Sequence, residues 1–63
     1  MDQEDRELLY LLSTGVSSKD IPNHLHWSAS KVEKRKRLLR EKFGVEDKNV
    51  LSLLNSARKA GFL

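Results

Sequence analysis

The chain has 63 residues, of which 38% are hydrophobic and 33% are charged, and its formal net charge at pH 7 is +3. This length accommodates one domain with a single small core. The sequence contains no cysteine, which excludes disulfides and thiolate metal sites and leads us to expect a cytoplasmic protein. The longest apolar run, Leu8–Leu12, is too short for a membrane span or for the core of a signal peptide.

Helix caps and helix breakers predict the first two helices. The first is expected to begin after Asp2, whose carboxylate suits an N-cap, and to end at Gly15, which can adopt the left-handed closing conformation. The second is expected to begin at Ser17, because a carboxylate three residues later, Asp20, completes a short-armed capping box. It should be short, since Pro22 would remove a hydrogen bond from the helix interior.

The third and fourth helices are predicted from similar signals. Ser28 or Ser30 is expected to cap the third helix, and Gly44 is expected to end it. Asp47 or Asn49 is expected to cap the fourth. The apolar residues that recur at helical spacing, and that are predicted to form the core, are Leu8, Leu9, Leu12, Ile21, Leu25, Val32, Leu39, Phe43, Val50, Leu53, Leu54 and Ala57.

The order of these helices predicts an all-α fold. A tight connection at residues 25–28 joins the second and third helices, as in a helix-turn-helix inside a small four-helix bundle. We therefore predict a single domain over residues 1–63, with the helix-turn-helix at about 17–43 and the fourth helix at about 47–60.

Positive charge is concentrated in the predicted third helix. The segment Lys31–Lys42 contains seven lysines and arginines but only two acids, so the rest of the chain is net negative. Such a concentration suggests a polyanionic partner, most often nucleic acid, and the alternative is a solvated helix face. In a helix-turn-helix the second helix of the motif enters the major groove. Double-stranded DNA is therefore the predicted partner.

The residues predicted to contact DNA fall into two groups, those that face the bases and those that bind phosphates. At about 100° per residue, Glu33, Lys34 and Arg37 lie on the side of the third helix opposite Val32. Arg37 can form paired hydrogen bonds with guanine, and Glu33 can accept from the cytosine amine; the alternative is an ordinary charged surface. The residues predicted to contact DNA phosphates are Lys19, Ser28, Ser30, Lys31, Arg35, Arg40 and Lys42.

Three other residues receive individual predictions. Lys36 lies about 40° from Val32, so its stem is expected to follow the edge of the core with its ammonium in water. Leu38 points away from the core face, and the sequence leaves open whether it packs under the fourth helix or is an exposed contact residue. Trp27 is expected to pack in the core at the turn of the motif rather than to stack on a nucleobase.

The sequence offers little chemistry for catalysis or metal binding. His24 and His26 are two residues apart and have no supporting carboxylate or cysteine, so no metal site is predicted. No Ser/His/Asp or Cys/His set and no glycine-rich phosphate loop is present. We therefore expect a protein that is not an enzyme, with no cofactor and no small-molecule ligand.

Several segments resemble one family of DNA-binding domains. Residues 7–12 followed by Gly15 are similar to that family's first helix, and residues 16–21 are similar to its Leu-Ser-Asn-Lys-Glu-Ile run. Residues 42–45, Lys-Phe-Gly-Val, correspond to its Lys-Leu-Gly-Val, and the spacing from Ser17 to Val45 needs no gap. On these motifs the chain resembles the LuxR/GerE-type domain, the C-terminal effector domain of many bacterial response regulators.

The resemblance implies a LuxR/GerE-type helix-turn-helix bundle that binds specific DNA sequences as the effector domain of a transcriptional regulator. It also implies that Glu33, Lys34 and Arg37 occupy the positions that face the bases. We expect the chain to be the C-terminal part of a longer regulator. In the family two such domains pair through the fourth helix, and the residues corresponding to that homodimer surface are Leu51, Ser52, Asn55 and Arg58.

The third helix departs from the family pattern at several positions. Glu33 stands where a lysine is usual, Arg35 where a histidine is usual, and Leu38 where an asparagine is usual. The base preference of the family therefore does not carry over. Two alternatives are a sigma-factor region-four-like DNA-binding module, and a protein-interaction helix bundle that has lost DNA binding.

Overall fold

A computed structural model describes residues 2–63, and over this range the chain forms four helices and no strands. They are α1 (Gln3–Ser13), α2 (Ile21–Leu25), α3 (Ala29–Phe43) and α4 (Val50–Lys59). The predicted all-α fold with four helices is thereby confirmed. None of these four helices is long and apolar enough to cross a membrane.

The ends of α1 follow from local signals in the sequence. The side chain of Asp2 accepts a hydrogen bond of 3.0 Å from the backbone N–H of Asp5, as expected of an N-cap. The helix closes through Thr14, and Gly15 follows with a φ of 91°, in the left-handed region that favours glycine. Both predicted ends of the first helix are correct.

The second helix begins later than the sequence predicts. Ser17 does not cap it; its hydroxyl accepts from the N–H of Lys19 within a turn, and its carbonyl accepts from the N–H of Asp20. The helix starts at Ile21, which places Pro22 in the first turn. A proline is tolerated there because the first N–H groups of a helix have no partner inside the helix. Pro22 therefore determines the start of α2, and the predicted capping box at Ser17 is wrong.

Three residues connect α2 to α3. His26 closes α2 with a φ of 58°. Among residues 2–63 it is the only residue other than glycine that has a positive φ. Ser28 then caps α3, because its hydroxyl accepts a 3.1 Å hydrogen bond from the N–H of Lys31. Of the two caps predicted for this helix, Ser28 is the one used. Gly44, with a φ of 71°, ends α3 as predicted.

The core is formed mainly by leucines from α1, α3 and α4. Helix α4 packs against both α1 and α3, and Asn49 caps it through the N–H of Leu51. The buried hydrophobic residues are Leu8, Leu9, Leu12, Ile21, Val32, Leu39, Leu53, Leu54 and Ala57. Leu25, Phe43 and Val50 were also predicted for the core and are only half-buried against it. Phe43 instead pairs with Phe62 near the C-terminus, their ring centroids being 5.9 Å apart.

Trp27 lies at the edge of the core rather than inside it. The side chain packs against the buried cluster but stays half-buried. The ammonium of Lys31 lies 4.5 Å from the centroid of its ring, a cation–π geometry. The prediction of core packing is therefore correct for its contact with the core and wrong in degree.

Candidate nucleic-acid interface

Helix α3 presents two faces of opposite character. Val32, Lys36 and Leu39 are buried and recur at a spacing of three and four residues, which places them on one side of the helix. The residues on the other side are all exposed: Ser30, Lys34, Arg37, Leu38 and Glu41. We call these five residues the outward face of α3.

The three residues predicted to contact bases lie on or beside the outward face. Glu33, Lys34 and Arg37 are exposed and border one shallow groove, of about 720 Å³, that continues towards the α3–α4 connection. Within residues 2–63, the side chains of Lys34 and Arg37 make no salt bridge. The carboxylate of Glu33 lies 3.5 Å from the ammonium of Lys36. Lys34 and Arg37 are therefore available to a ligand. Glu33 has an ion-pair partner, and Glu41 and Glu46 also line the groove.

Two of the predicted phosphate-binding residues are engaged with α1 instead. The ammonium of Lys31 lies 2.8 Å from Glu4 Oε2. The guanidinium of Arg35 lies 3.0 Å from Glu4, 3.4 Å from Asp5 and 3.5 Å from Asp2. We call these five residues the α1–α3 ion cluster. The carboxylates of this cluster accept from the ammonium of Lys31 and the guanidinium of Arg35, the groups that would otherwise donate to phosphate oxygens.

The carboxylates of the ion cluster differ in their surroundings. The backbone N–H of Asp5 donates to Asp2 and lowers the pKa of the Asp2 carboxyl, and the charge of Arg35 acts in the same direction. Burial raises the pKa of the Asp5 carboxyl, and the negative charge of Asp2 adds to this effect. Arg35 lowers the pKa of both groups without cancelling the increase at Asp5. The guanidinium thus compensates repulsion between two neighbouring acids.

The other predicted phosphate contacts lie on the surface. Lys19, Ser28, Ser30 and Lys42 are exposed and Arg40 is half-buried. In the part of the chain that the structure describes, none of the three cations among them, Lys19, Arg40 and Lys42, forms a salt bridge. Lys19 lies before α2, whereas the other two cations lie in the last turn of α3. The structure therefore separates the predicted phosphate contacts into two groups. Lys31 and Arg35 are engaged with α1, and the others form what we call the accessible set: Lys19, Ser28, Ser30, Arg40 and Lys42.

Lys36 has a role that the sequence did not reveal. It is only 7% exposed, on the apolar side of α3 as predicted. The ammonium was expected to lie in water, but it donates a 2.9 Å hydrogen bond to the hydroxyl of Ser18 and also lies near the carboxylate of Glu33. This bond ties α3 to the turn before α2. It therefore helps to fix α3 relative to the segment that leads into α2.

Helix α4 carries the residues predicted for a dimer surface. Leu51, Asn55 and Arg58 are exposed, and Arg58 donates to the side-chain oxygen of Asn55. Ser52 is half-buried and donates to the carboxylate of Asp47, so it also serves to hold the segment before α4. Three of the four predicted residues thus remain exposed for a partner.

Among residues 2–63 no group of three or more histidine, aspartate or glutamate side chains is placed to hold a metal ion.

The family of this chain remains a prediction from its sequence motifs. Comparisons with protein-family models, with curated proteins and with solved structures find no match to this chain. The LuxR/GerE resemblance therefore rests on the sequence motifs alone.

Proposed function

We propose that this domain binds specific sequences of double-stranded DNA as the effector domain of a bacterial transcriptional regulator. One observation carries the proposal: α3, which follows α2 after only three residues, presents Lys34 and Arg37 on its outward face, exposed and without ion-pair partners in residues 2–63. An α-helix fits into the major groove, which is roughly 12 Å wide. The 15 residues of α3 give it a length of about 22 Å at 1.5 Å per residue.

Direct reading of bases is assigned to the outward face and to Glu33 beside it. Arg37 has the planar fork that matches the two acceptors of guanine in the major groove. Lys34 can donate to the same acceptors as a more mobile point charge. Glu33 can accept from the cytosine amine if it gives up its contact with Lys36. The bases that these residues favour are therefore those of G·C pairs.

Phosphate contacts are assigned to the accessible set, of which Ser30 also belongs to the outward face. Lys19 lies in the turn before α2, and Arg40 and Lys42 lie in the last turn of α3. Lys31 and Arg35 contribute less, because each must leave a carboxylate before it binds a phosphate. Pairing of two domains through α4 follows from the family resemblance, with Leu51, Asn55 and Arg58 as the exposed residues of that surface.

The salt dependence of binding tests the proposal directly. With about three phosphate contacts, log K for a random-sequence duplex is expected to fall with log salt at a slope of roughly −3, since each contact contributes about −0.9. Fluorescence anisotropy of a labelled duplex, at several salt concentrations, measures this slope. Lys42→Ala should make the slope shallower by about one contact, whereas Lys59→Ala, which removes an exposed cation at the end of α4, should leave the slope unchanged. A slope near zero would rule out electrostatic DNA binding and favour the protein-interaction bundle.

Ser28 allows its capping role and its proposed phosphate contact to be separated. Ser28→Ala removes the hydrogen bond to Lys31 N–H and should lower the free energy of unfolding by about 1 kcal/mol. Ser28→Asp keeps a good cap and suits the positive end of the helix, so stability should be retained. The same aspartate would repel a DNA phosphate and should weaken duplex binding.

Urea unfolding and duplex titration of both Ser28 variants check these expectations. Equal destabilisation by alanine and aspartate would contradict the cap. Wild-type affinity of Ser28→Asp for duplex DNA would contradict the phosphate contact.

A further inference from the structure

Leu38 is an exposed leucine on an otherwise polar face. It is 43% exposed and takes no part in the buried core or among the partly buried residues packed against it. Around the helix, Lys34 lies between Leu38 and Arg37, because residues four apart are separated by only about 40°. The exposed fraction decides between the two alternatives that the sequence left open: Leu38 is not buried under α4.

We propose that Leu38 reads thymine, by contacting the C5-methyl group of that base in the major groove. This inference rests on the proposed DNA binding by α3. The C5-methyl group is the apolar feature that a base pair presents in this groove, and apolar side chains are the ones that contact it. The other members of the outward face are a serine, two cations and a glutamate, whose polar groups are suited to hydrogen bonds with the edges of the bases instead. Leu38 would therefore extend the reading of G·C pairs by Lys34 and Arg37 to a neighbouring A·T pair.

The surroundings of Leu38 favour DNA over a protein partner. Lys34 and Lys42 lie one turn before and one turn after it, Arg37 is its neighbour in the chain, and Glu41 is the one acid on the same face. An apolar protein surface that covered Leu38 would have to desolvate these charges without compensation. In the major groove the same cations can reach phosphates and base acceptors while the leucine meets a methyl group.

Replacement of thymine by deoxyuridine tests the inference, because this change removes only the methyl group. The probe is a duplex that the wild-type domain selects from a random-sequence pool, resynthesised with each thymine exchanged in turn. At one position the wild type should lose about fourfold in affinity, the value of one buried methyl-sized group. Leu38→Ala should bind the thymine and deoxyuridine forms of that duplex equally. Leu63→Ala, which truncates an equally exposed leucine after the end of α4, should keep the wild-type preference.

The possible failures of this experiment are distinguishable. If the domain binds no duplex or selects no sequence, the proposed function fails and the inference with it. If a sequence is selected but no thymine responds to loss of its methyl group, DNA binding stands and the role of Leu38 is overturned. That role is overturned equally if Leu38→Ala, shown to be folded by its helical circular dichroism, still prefers thymine over deoxyuridine.

Discussion

Leu53→Ala is expected to leave the domain largely unfolded at room temperature. Leu53 is 1% exposed and lies on the face of α4 that packs against α1 and α3. Truncation of a buried leucine to alanine costs about 2–5 kcal/mol, because apolar surface is lost and a cavity is left. A single core of this size rarely supplies more than about 3–5 kcal/mol in total. The loss is therefore comparable to the whole stability of the domain.

Leu51→Ala is the matched control for this prediction. Leu51 precedes Leu53 by two residues on the same helix but is 64% exposed, so its truncation leaves no cavity. The free energy of unfolding should change by no more than about 0.5 kcal/mol. Circular dichroism at 222 nm during urea and thermal unfolding compares the two variants. Equal stability of Leu53→Ala and Leu51→Ala would contradict the core described for α4.

Arg37→Ala should have the largest effect on sequence discrimination. A paired hydrogen bond from an arginine to guanine contributes about 1–3 kcal/mol against the wrong base, which is roughly 5- to 150-fold in relative affinity. Because Arg37 is exposed and makes no salt bridge in residues 2–63, its removal should leave the fold intact. The measurement is the ratio of affinities for a selected duplex and a scrambled duplex, at one fixed salt concentration.

Lys19→Ala is the control for Arg37→Ala because it removes a cation of a different proposed role. A phosphate contact carries no sequence information directly, so affinity for both duplexes should fall by the same factor. The ratio between the selected and scrambled duplex should therefore stay at the wild-type value. If both variants reduce affinity for both duplexes equally, Arg37 is not a base-reading residue.

Helix ends were predictable because their signals are local. The caps at Asp2, Ser28 and Asn49 each accept from an N–H two or three residues ahead, so the sequence around each cap contains both partners. The left-handed glycine at Gly44 is equally local. The start of α2 was wrong because two local signals competed there, and the restriction imposed by Pro22 prevailed over the hydroxyl of Ser17.

The unpredicted parts of the site come from contacts between distant residues. Lys31 and Glu4 are 27 positions apart, and Lys36 and Ser18 are 18 apart, so no short sequence pattern joins them. The acids at the start of α1 fit a simple local explanation, since negative charge is favourable at that end of any helix. Only the packing of α1 beside α3 shows that they also face Arg35. Helical phase, by contrast, correctly placed Lys34 and Arg37 on the exposed side.

The α1–α3 ion cluster has a consequence for how such a domain can be adjusted. Under the proposed function, general attraction to DNA and choice of sequence depend on different faces of α3. A substitution at Glu4 would release Lys31 and one contact of Arg35 to phosphates without touching Arg37 or Leu38. The strength of binding could therefore be tuned from α1, a helix that the proposed interface does not include, while the sequence that is read stays the same.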